Sequence, residues 1–179
     1  MILCKPDILA AIEAGELVID PFEPELIGAA SIDLRLSPHF RRLHRSDEAL
    51  DVLAERDYRE PAVSEYVEVP EDGSIVLDAG ETILGLTVER VRFGPTMCGR
   101  LEGRSRFARL GLLIHISAGF MAPGTDNQQV LEISNMAMRP LRLHPGTAVC
   151  QLLFERMSGP ARHTGRYASQ TVDDFRASP

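Results

Sequence analysis

The chain has 179 residues, of which 44% are hydrophobic and 25% are charged, so its composition is that of a globular protein with one sizeable core. Its formal net charge of −7 excludes a general nucleic-acid surface, which requires a basic face. We therefore expect no nucleic acid polymer as a partner, although a few local arginines suffice to bind a single nucleotide.

The cysteines indicate a reducing compartment. Cys4, Cys98 and Cys150 are scattered and form no C-x-x-C pair, which is typical of reduced thiols in a cytosolic protein. No apolar run approaches the roughly 20 residues that a membrane-spanning helix needs. The first seven residues do not have the layout of a signal peptide. We expect a cytoplasmic protein without membrane contact.

The N-terminal third predicts a helix, a strand and an insertion. Pro6-Asp7 can open a short helix, which the apolar spacing from Ile8 to Leu17 supports. Residues 31–36 alternate between apolar and polar side chains, as a half-buried strand does. Residues 41–62 are charged and irregular, and we interpret them as a solvated insertion with a helical turn around residues 49–55.

From residue 64 onward, short apolar segments separated by turn residues predict a series of strands. These strands are expected at residues 67–69, 74–77, 82–88, 97–100, 112–116, 129–134, 141–143 and 147–155. Residues 103–111 predict one or two helical turns that end at Gly111. Residues 160–179 predict a flexible C-terminal tail.

The predicted fold class is mainly β, a distorted β-barrel or jelly roll with a few short helices. We expect residues 1–179 to form a single domain.

The side chains best suited to catalysis and ligand binding lie in residues 104–111 and in the pair Leu131-Glu132. Guanidinium groups such as those of Arg104 and Arg109 suit phosphate, because their donors match its oxygens. A carboxylate within an apolar strand, as at Glu132, requires a reason, because burying it is costly. Together these segments predict a pocket that holds a phosphorylated small molecule beside a general base.

The residues alone leave other interpretations open. Alternation along the strand places Glu132 opposite Leu131 and Ile133, which also fits a carboxylate on a solvated face. Arg104 and Ser105 could cap a short helix, and Arg109 could form a surface ion pair of little energetic value. His115 lies inside an apolar run and favours a hydrogen-bonded core or interface histidine over a catalyst.

Five segments in order resemble the dCTP deaminase family, and together they cover most of the chain outside residues 40–65. They are Pro21–Ile27 leading into Ala30–Leu36, Gly103–Ser105 with Ala108–Gly111, Leu131-Glu132 with Asn135, Pro145-Gly146 followed by Gln151-Leu152 and Phe154-Glu155, and Gly165–Tyr167 with Gln170. The resemblance implies the distorted barrel of the trimeric dUTPases, a homotrimer with sites between subunits, and Mg²⁺ carried on the nucleotide triphosphate.

The resemblance also implies roles for individual residues. Glu132 is expected to be the general base that activates water for attack at C4 of cytosine, and Ser105 and the Ala118 carbonyl are expected to place that water. Arg109 belongs to the same catalytic network. The expected substrate-binding residues are Arg104, Arg106, Met121, Ala122, Gln151, Arg166, Tyr167 and Gln170. Arg166 and Gln170 in particular are expected to close over the triphosphate.

No zinc is expected, because the H-x-E…P-C-x-x-C pattern of zinc deaminases is missing from the sequence.

The sequence departs from the family pattern on the sugar and phosphate side. Ala122 stands where the family has an aspartate that contacts the sugar 3′-hydroxyl, and Arg106 replaces a small serine. Thr125 and Asn127 replace an aromatic residue and a glycine. The deaminating residues are therefore retained, while recognition of the nucleotide is altered.

The expected activity is metal-independent deamination of dCTP to dUTP and ammonia. The alternatives are deamination of another cytosine nucleotide, with a different sugar or phosphate part, and a catalytically silent, nucleotide-binding regulatory relative. A dUTP diphosphatase is least favoured, because Ala122 supplies no carboxylate.

Overall fold

The computed structural model describes residues 1–70 and 72–179, and these residues form mainly β-strands. The strands are β1 (Leu17–Asp20), β2 (Ser31–Leu43), β3 (Ser64–Glu68), β4 (Ile75–Leu77), β5 (Thr82–Phe93), β6 (Met97–Gly103), β7 (Leu112–Ile114), β8 (Phe120–Met121), β9 (Asp126–Asn135), β10 (Leu141–Leu143) and β11 (Ala148–Arg156). The helices are α1 (Lys5–Glu13), α2 (Ser105–Ala108) and α3 (Val172–Arg176), with a 3₁₀ turn at Pro24–Leu26.

One curved antiparallel sheet dominates the described residues. Its strand order is β7-β9-β5-β2-β11-β6-β8, with β1 added to β5 and β3 added to β2, while β4 and β10 form a separate pair. The pairing of β5 with β9 shifts register between Leu86 and Arg90, and that of β2 with β5 shifts between Leu36 and Phe40. Such irregularities bend strands and let a sheet curl. The predicted fold class, a distorted mainly β barrel with short helices, is confirmed.

The core follows the two-residue period of the strands. Leu34 and Leu36 on β2, Leu131 on β9, and Leu152 and Phe154 on β11 are fully buried. Side chains of alternating residues point to opposite faces of a strand, so the intervening residues are free to line sites. Each large buried apolar side chain contributes roughly 1.5–3 kcal/mol to folding.

Several predicted elements are confirmed, with longer strands than expected. The predicted first helix is α1, although Leu17 belongs to β1 and not to the helix. Strands β2 and β5 continue to Leu43 and Phe93, because β3 and β1 pair with their far ends. The helical segment before Gly111 is confirmed as α2. Gly111 has a φ of 86°, and a Cβ there would lie 2.7 Å from the Ala137 nitrogen, so only glycine fits.

The solvated insertion predicted for residues 41–62 is only partly correct. Arg41 lies in β2 and is 1% exposed, and Asp57 is also buried. Residues 49–55 are irregular with a turn and do not form the expected helical turn. The sequence was misleading because Arg41 is buried by donating to backbone carbonyls of distant residues, which include Phe175 at 2.8 Å.

The C-terminal tail also differs from the expectation of a flexible segment. Thr171 caps α3 in a capping box with Asp174, and Phe175 is fully buried. Phe175 packs in a small second cluster with Leu84 and Leu86. The last residues of the chain are therefore anchored on the sheet by burial of an aromatic side chain.

None of the helices within the described residues combines enough length with enough apolar character to span a lipid bilayer.

Candidate active site

A cavity of about 670 Å³ opens beside strand β9, and several of the predicted site residues lie on its wall. They are Glu132, Ala118, Met121, Ala122, Tyr167 and Gln170. The first four come from β9 and the β7–β9 connection, and the last two come from the tail. The sheet thus supplies one wall and the C-terminal segment supplies another.

The position of Glu132 follows from strand alternation. Its neighbours Leu131 and Ile133 are fully buried in the core, so Glu132 lies on the opposite face. That face borders the cavity, and the Glu132 side chain is 36% exposed. The alternation argument is correct about the face, and Glu132 is a partly exposed carboxylate at the border of the cavity.

His115 is the partner of Glu132 within the chain. Strand β7 pairs Ile114 with Ile133, and the next residue, His115, donates its backbone N–H to the Glu132 carbonyl at 2.7 Å. His115 has a φ of 55°, which is uncommon for a residue other than glycine. This turn brings the imidazole Nδ1 to 2.9 Å from Glu132 Oε2 and Nε2 to 2.9 Å from the Ala118 carbonyl oxygen.

No other polar group among the described residues competes for the contact between His115 Nδ1 and Glu132 Oε2. Apart from each other, Nδ1 of His115 and Oε2 of Glu132 are buried atoms without a hydrogen-bond partner among the described residues. Burial acts to lower the pKa of His115, but the hydrogen bond and charge of Glu132 and the Ala118 carbonyl outweigh it and raise the pKa. An imidazolium at this position donates from both ring nitrogens, which matches both acceptors.

Amide side chains line the part of the cavity that follows Ala122. Asn127 Nδ2 donates to the Tyr167 carbonyl at 2.7 Å, and Asn127 Oδ1 accepts from Gln129 Nε2. Gln128 Nε2 donates to the Thr87 carbonyl at 2.9 Å. This wall carries neutral amide groups, and Asn127 is the one that stands where the family pattern has a glycine.

The residues of the Arg-Ser turn do not join this cavity. Ser105, Arg106 and Arg109 lie on α2 or directly after it, are exposed, and are not among the residues that line the cavity. Arg104 precedes α2 and contacts Asp33 at 2.9 Å and the Ala148 carbonyl at 2.8 Å. Neither Arg104 nor Ser105 caps the helix with its side chain, so the capping interpretation is wrong.

Two further expected substrate-binding residues also lie outside the cavity. Gln151 on β11 accepts a long hydrogen bond of 3.4 Å from Ser31 Oγ. Arg166 lines an adjoining polar cleft of about 160 Å³ and lies 3.4 Å from Asp57. Tyr167 and Gln170 line both the cleft and the cavity, so Arg166 is one residue away from the cavity wall.

Asp33 shows the electrostatic character of the surface next to α2. Burial raises the pKa of the Asp33 carboxyl, although the nearby guanidinium groups of Arg104 and Arg106 act to lower it. Arg104 pairs with Asp33 at this surface, whereas Arg106 and Arg109 are exposed to solvent.

Sequence reasoning missed His115 as a site residue and could not assign Asn127, Gln129 or Tyr58. His115 is a polar, titratable residue within an apolar run, which predicts a hydrogen-bonded core or interface histidine. Its side chain is indeed 7% exposed and hydrogen-bonded, but it also contacts Glu132 at the cavity. Tyr58 lies in the segment that the family resemblance did not cover, so no sequence signal pointed to it.

Comparison with known proteins identifies the family. A family model described as dCTP deaminase-like matches residues 2–157. The dUMP-forming dCTP deaminase of Tropheryma whipplei (strain Twist) is 42% identical over 163 residues, which cover 91% of this chain and 82% of that protein. The dUMP-forming dCTP deaminase of Corynebacterium diphtheriae is 42% identical over 163 residues, which cover 90% of this chain and 85% of that protein.

A solved structure shows the same fold. The 2′-deoxycytidine 5′-triphosphate deaminase of Agrobacterium tumefaciens matches with a TM-score of 0.68 at 20% identity. The match covers 87% of this chain and 48% of that chain, so this chain spans about half the length of that protein.

The chain belongs to the dCTP deaminase-like family. The enzyme class expected from the resemblance, a dCTP deaminase-like hydrolase, is confirmed.

Proposed function

We propose that this protein deaminates a cytosine nucleotide hydrolytically, with dCTP as the first candidate substrate. The observation that carries the proposal is the placement of the Glu132 carboxylate on the wall of a cavity large enough for a nucleotide, next to His115. The names of the curated relatives, which are dCTP deaminases, support the same substrate class.

In the proposed reaction Glu132 accepts a proton from water, and the resulting hydroxide attacks C4 of cytosine. That proton passes from Glu132 to N3 of the ring, and the proton of the new C4 hydroxyl passes to the amino group. The C4–N bond then breaks, ammonia leaves, and the product is uracil with a C4 carbonyl and a protonated N3. The Ala118 carbonyl, held by His115 Nε2, is available to orient the water. His115 keeps Glu132 oriented through the Nδ1 contact.

The separation of α2 from the cavity supports a shared site. Ser105 and Arg109 are exposed on one surface, while Glu132 lines a cavity that they do not reach. In a homotrimer with sites between subunits, α2 of a second copy would complete the cavity of the first. Placing Ser105 near the water and Arg109 near the nucleotide is therefore part of the proposal.

Mg²⁺ in this proposal is carried on the triphosphate, whose oxygen atoms are the ligands that it prefers. Among the described residues, no group of three or more His, Cys, Asp or Glu side chains is placed to hold a metal ion. Arg166, Tyr167 and Gln170 remain the proposed tail contacts to the nucleotide. The proposed location is the cytoplasm.

The proposed products are dUTP and ammonia. Ala122 on the cavity wall supplies no carboxylate to activate a second water for attack on a phosphate. The relatives are named dUMP-forming, so dUMP is the specific alternative product. Chromatography of the nucleotide products distinguishes the two, because dUMP and pyrophosphate in amounts equal to ammonia would overturn the assignment of dUTP.

The test of the activity is ammonia release with Mg²⁺ and each of dCTP, CTP and dCMP. We expect release from dCTP. Release only from CTP or dCMP would show that the altered sugar and phosphate side selects another cytosine nucleotide. No release from any of the three, with measurable dCTP binding, would show a regulatory nucleotide-binding protein in place of an enzyme.

A further inference from the structure

The segment between β2 and β3 contributes a tyrosine to the candidate nucleotide cavity. Tyr58 is half-buried and lines the cavity, although it lies in the charged insertion outside the family motifs. Its ring centroid is 6.0 Å from that of Tyr167 and 6.2 Å from that of Phe175, so it packs between two aromatic residues of the tail.

A buried network holds the backbone at Tyr58 in place. The Tyr58 carbonyl accepts a hydrogen bond from Ser64 Oγ at 2.5 Å, and Ser64 Oγ accepts one from the Arg41 guanidinium at 2.9 Å. Arg41 also donates to the carbonyls of Phe175 at 2.8 Å and Ala177 at 3.0 Å. The buried Arg41 guanidinium thus connects the turn at Tyr58 to both β2 and the tail.

The residues flanking Tyr58 add a second anchor. Asp57 accepts from the backbone N–H of Arg59 at 2.9 Å and from its guanidinium at 3.0 and 2.8 Å. Arg59 also donates to the Asp174 carbonyl at 3.0 Å. Paired, bidentate contacts of this kind fix the conformation of the turn that contains Tyr58. The Tyr58 side chain therefore keeps its position in the cavity wall.

The hydroxyl of Tyr58 can both accept and donate a hydrogen bond, and within the described residues it only accepts one. Its oxygen accepts from Gln170 Nε2, and its proton has no acceptor among the described residues. Burial raises the pKa of Tyr58 to about 12, so the group stays protonated and can donate at neutral pH. The cavity wall therefore contains a held hydroxyl that can still donate one hydrogen bond.

We propose that Tyr58 binds the substrate directly by donating its hydroxyl proton to a sugar or phosphate oxygen of the nucleotide, and that it also orients Gln170. This inference rests on the proposed function, because it takes the cavity to be the nucleotide site. It gives the insertion a role in substrate recognition in the same cavity that Ala122 lines.

The test compares Tyr58→Phe with the wild-type protein in the presence of Mg²⁺. The substitution keeps the ring packing and removes only the hydroxyl, so the melting temperature should change little. The expected result is a Kd for dCTP about tenfold higher by calorimetry, which corresponds to one lost hydrogen bond to a ligand. KM should rise by a similar factor while kcat stays within about twofold of wild type.

Tyr66→Phe is the matched control. The Tyr66 hydroxyl also contacts the tail, through Arg176 Nε at 3.3 Å, but Tyr66 does not line the cavity. Its removal should leave Kd unchanged. An equal loss of affinity in Tyr66→Phe would show that both hydroxyls act only by anchoring the tail, and would overturn the proposal.

A Gln170→Ala background separates direct contact from orientation. Tyr58→Phe should still weaken dCTP binding severalfold in that background, whereas no further effect would mean that Tyr58 acts through Gln170 alone.

Binding is measured independently of turnover, so an inactive wild type with a weaker-binding Tyr58→Phe variant overturns the proposed function but not this inference. An active wild type with an unchanged Kd in Tyr58→Phe overturns this inference alone, and a wild type that binds none of dCTP, CTP or dCMP overturns both.

Discussion

The cavity around Glu132 and the surface of α2 both match the family motifs, but their polar groups differ in whether they have partners within the chain. Glu132 has a partner in His115, and His115 in turn contacts the Ala118 carbonyl. Ser105 and Arg109 on the other surface are exposed. A partly buried carboxylate loses hydration and therefore needs a partner within its own chain. An exposed guanidinium stays hydrated and is available to bind a ligand or a second copy. The comparison shows that Glu132 and His115 are paired within the chain, whereas the exposed α2 residues would meet the cavity only in the proposed homotrimer.

The largest effect is expected for Glu132→Gln. This change keeps the shape of the side chain and removes its basicity, so kcat for ammonia release should fall by about 10²–10⁴-fold while the Kd for dCTP stays nearly constant. Glu102→Gln, on an exposed position of β6, is the matched control and should retain activity. Unchanged turnover in Glu132→Gln would exclude Glu132 as the base.

Mixing two inactive variants tests whether the two regions meet between copies. Glu132→Gln and Arg109→Ala should each be inactive as a pure protein. When the two are co-expressed in equal amounts, about a quarter of the sites in a random trimer receive an intact Glu132 and an intact Arg109, so activity should return. If the mixed oligomers are verified to form and are as inactive as each pure variant, the result would contradict a site shared between copies.

The Ala122→Asp variant tests how the cavity recognises the sugar of the nucleotide. A carboxylate at this position could accept a hydrogen bond from the sugar 3′-hydroxyl, so KM for dCTP should fall up to about tenfold. Ala122→Asn is the uncharged control of equal size and should have a smaller effect. An unchanged KM in Ala122→Asp would mean that the sugar is held elsewhere.

The smallest effect concerns the pH dependence of stability. Because the folded-state pKa of His115 is raised above its ordinary value of 6.5, the His115–Glu132 contact stabilises the fold below that pH, and this stabilisation is lost as the pH rises through the raised pKa. The contribution should be at most about 1 kcal/mol, because Glu132 is partly exposed.

His115→Asn is the variant for this test, since asparagine tolerates the positive φ of the position. The difference in free energy of unfolding between wild type and variant, measured by urea at several pH values, should shrink from acidic to alkaline pH. A difference that grows with pH would contradict a raised pKa.

Much of the fold was predictable from local pattern. The alternation over residues 31–36 and around Leu131 is visible without coordinates, because strand burial follows a two-residue period. The lengths of β2 and β5 were not predictable, since their far ends are stabilised by pairing with β3 and β1, which are distant in sequence. Arg41 and Phe175 were assigned to solvated segments for the same reason, because their burial depends on contacts across more than a hundred residues.

The sequence by itself determined the family and the mainly β class, because motifs and periodicity are local properties of the chain; the roles that it predicts for individual site residues stay predictions. Only the tertiary structure decided that Glu132 borders a cavity next to His115, that α2 lies apart from it, and that Tyr58 joins its wall. These are relations between segments far apart along the chain, and only the pairing of strands and the docking of the tail bring those segments together or keep them separate.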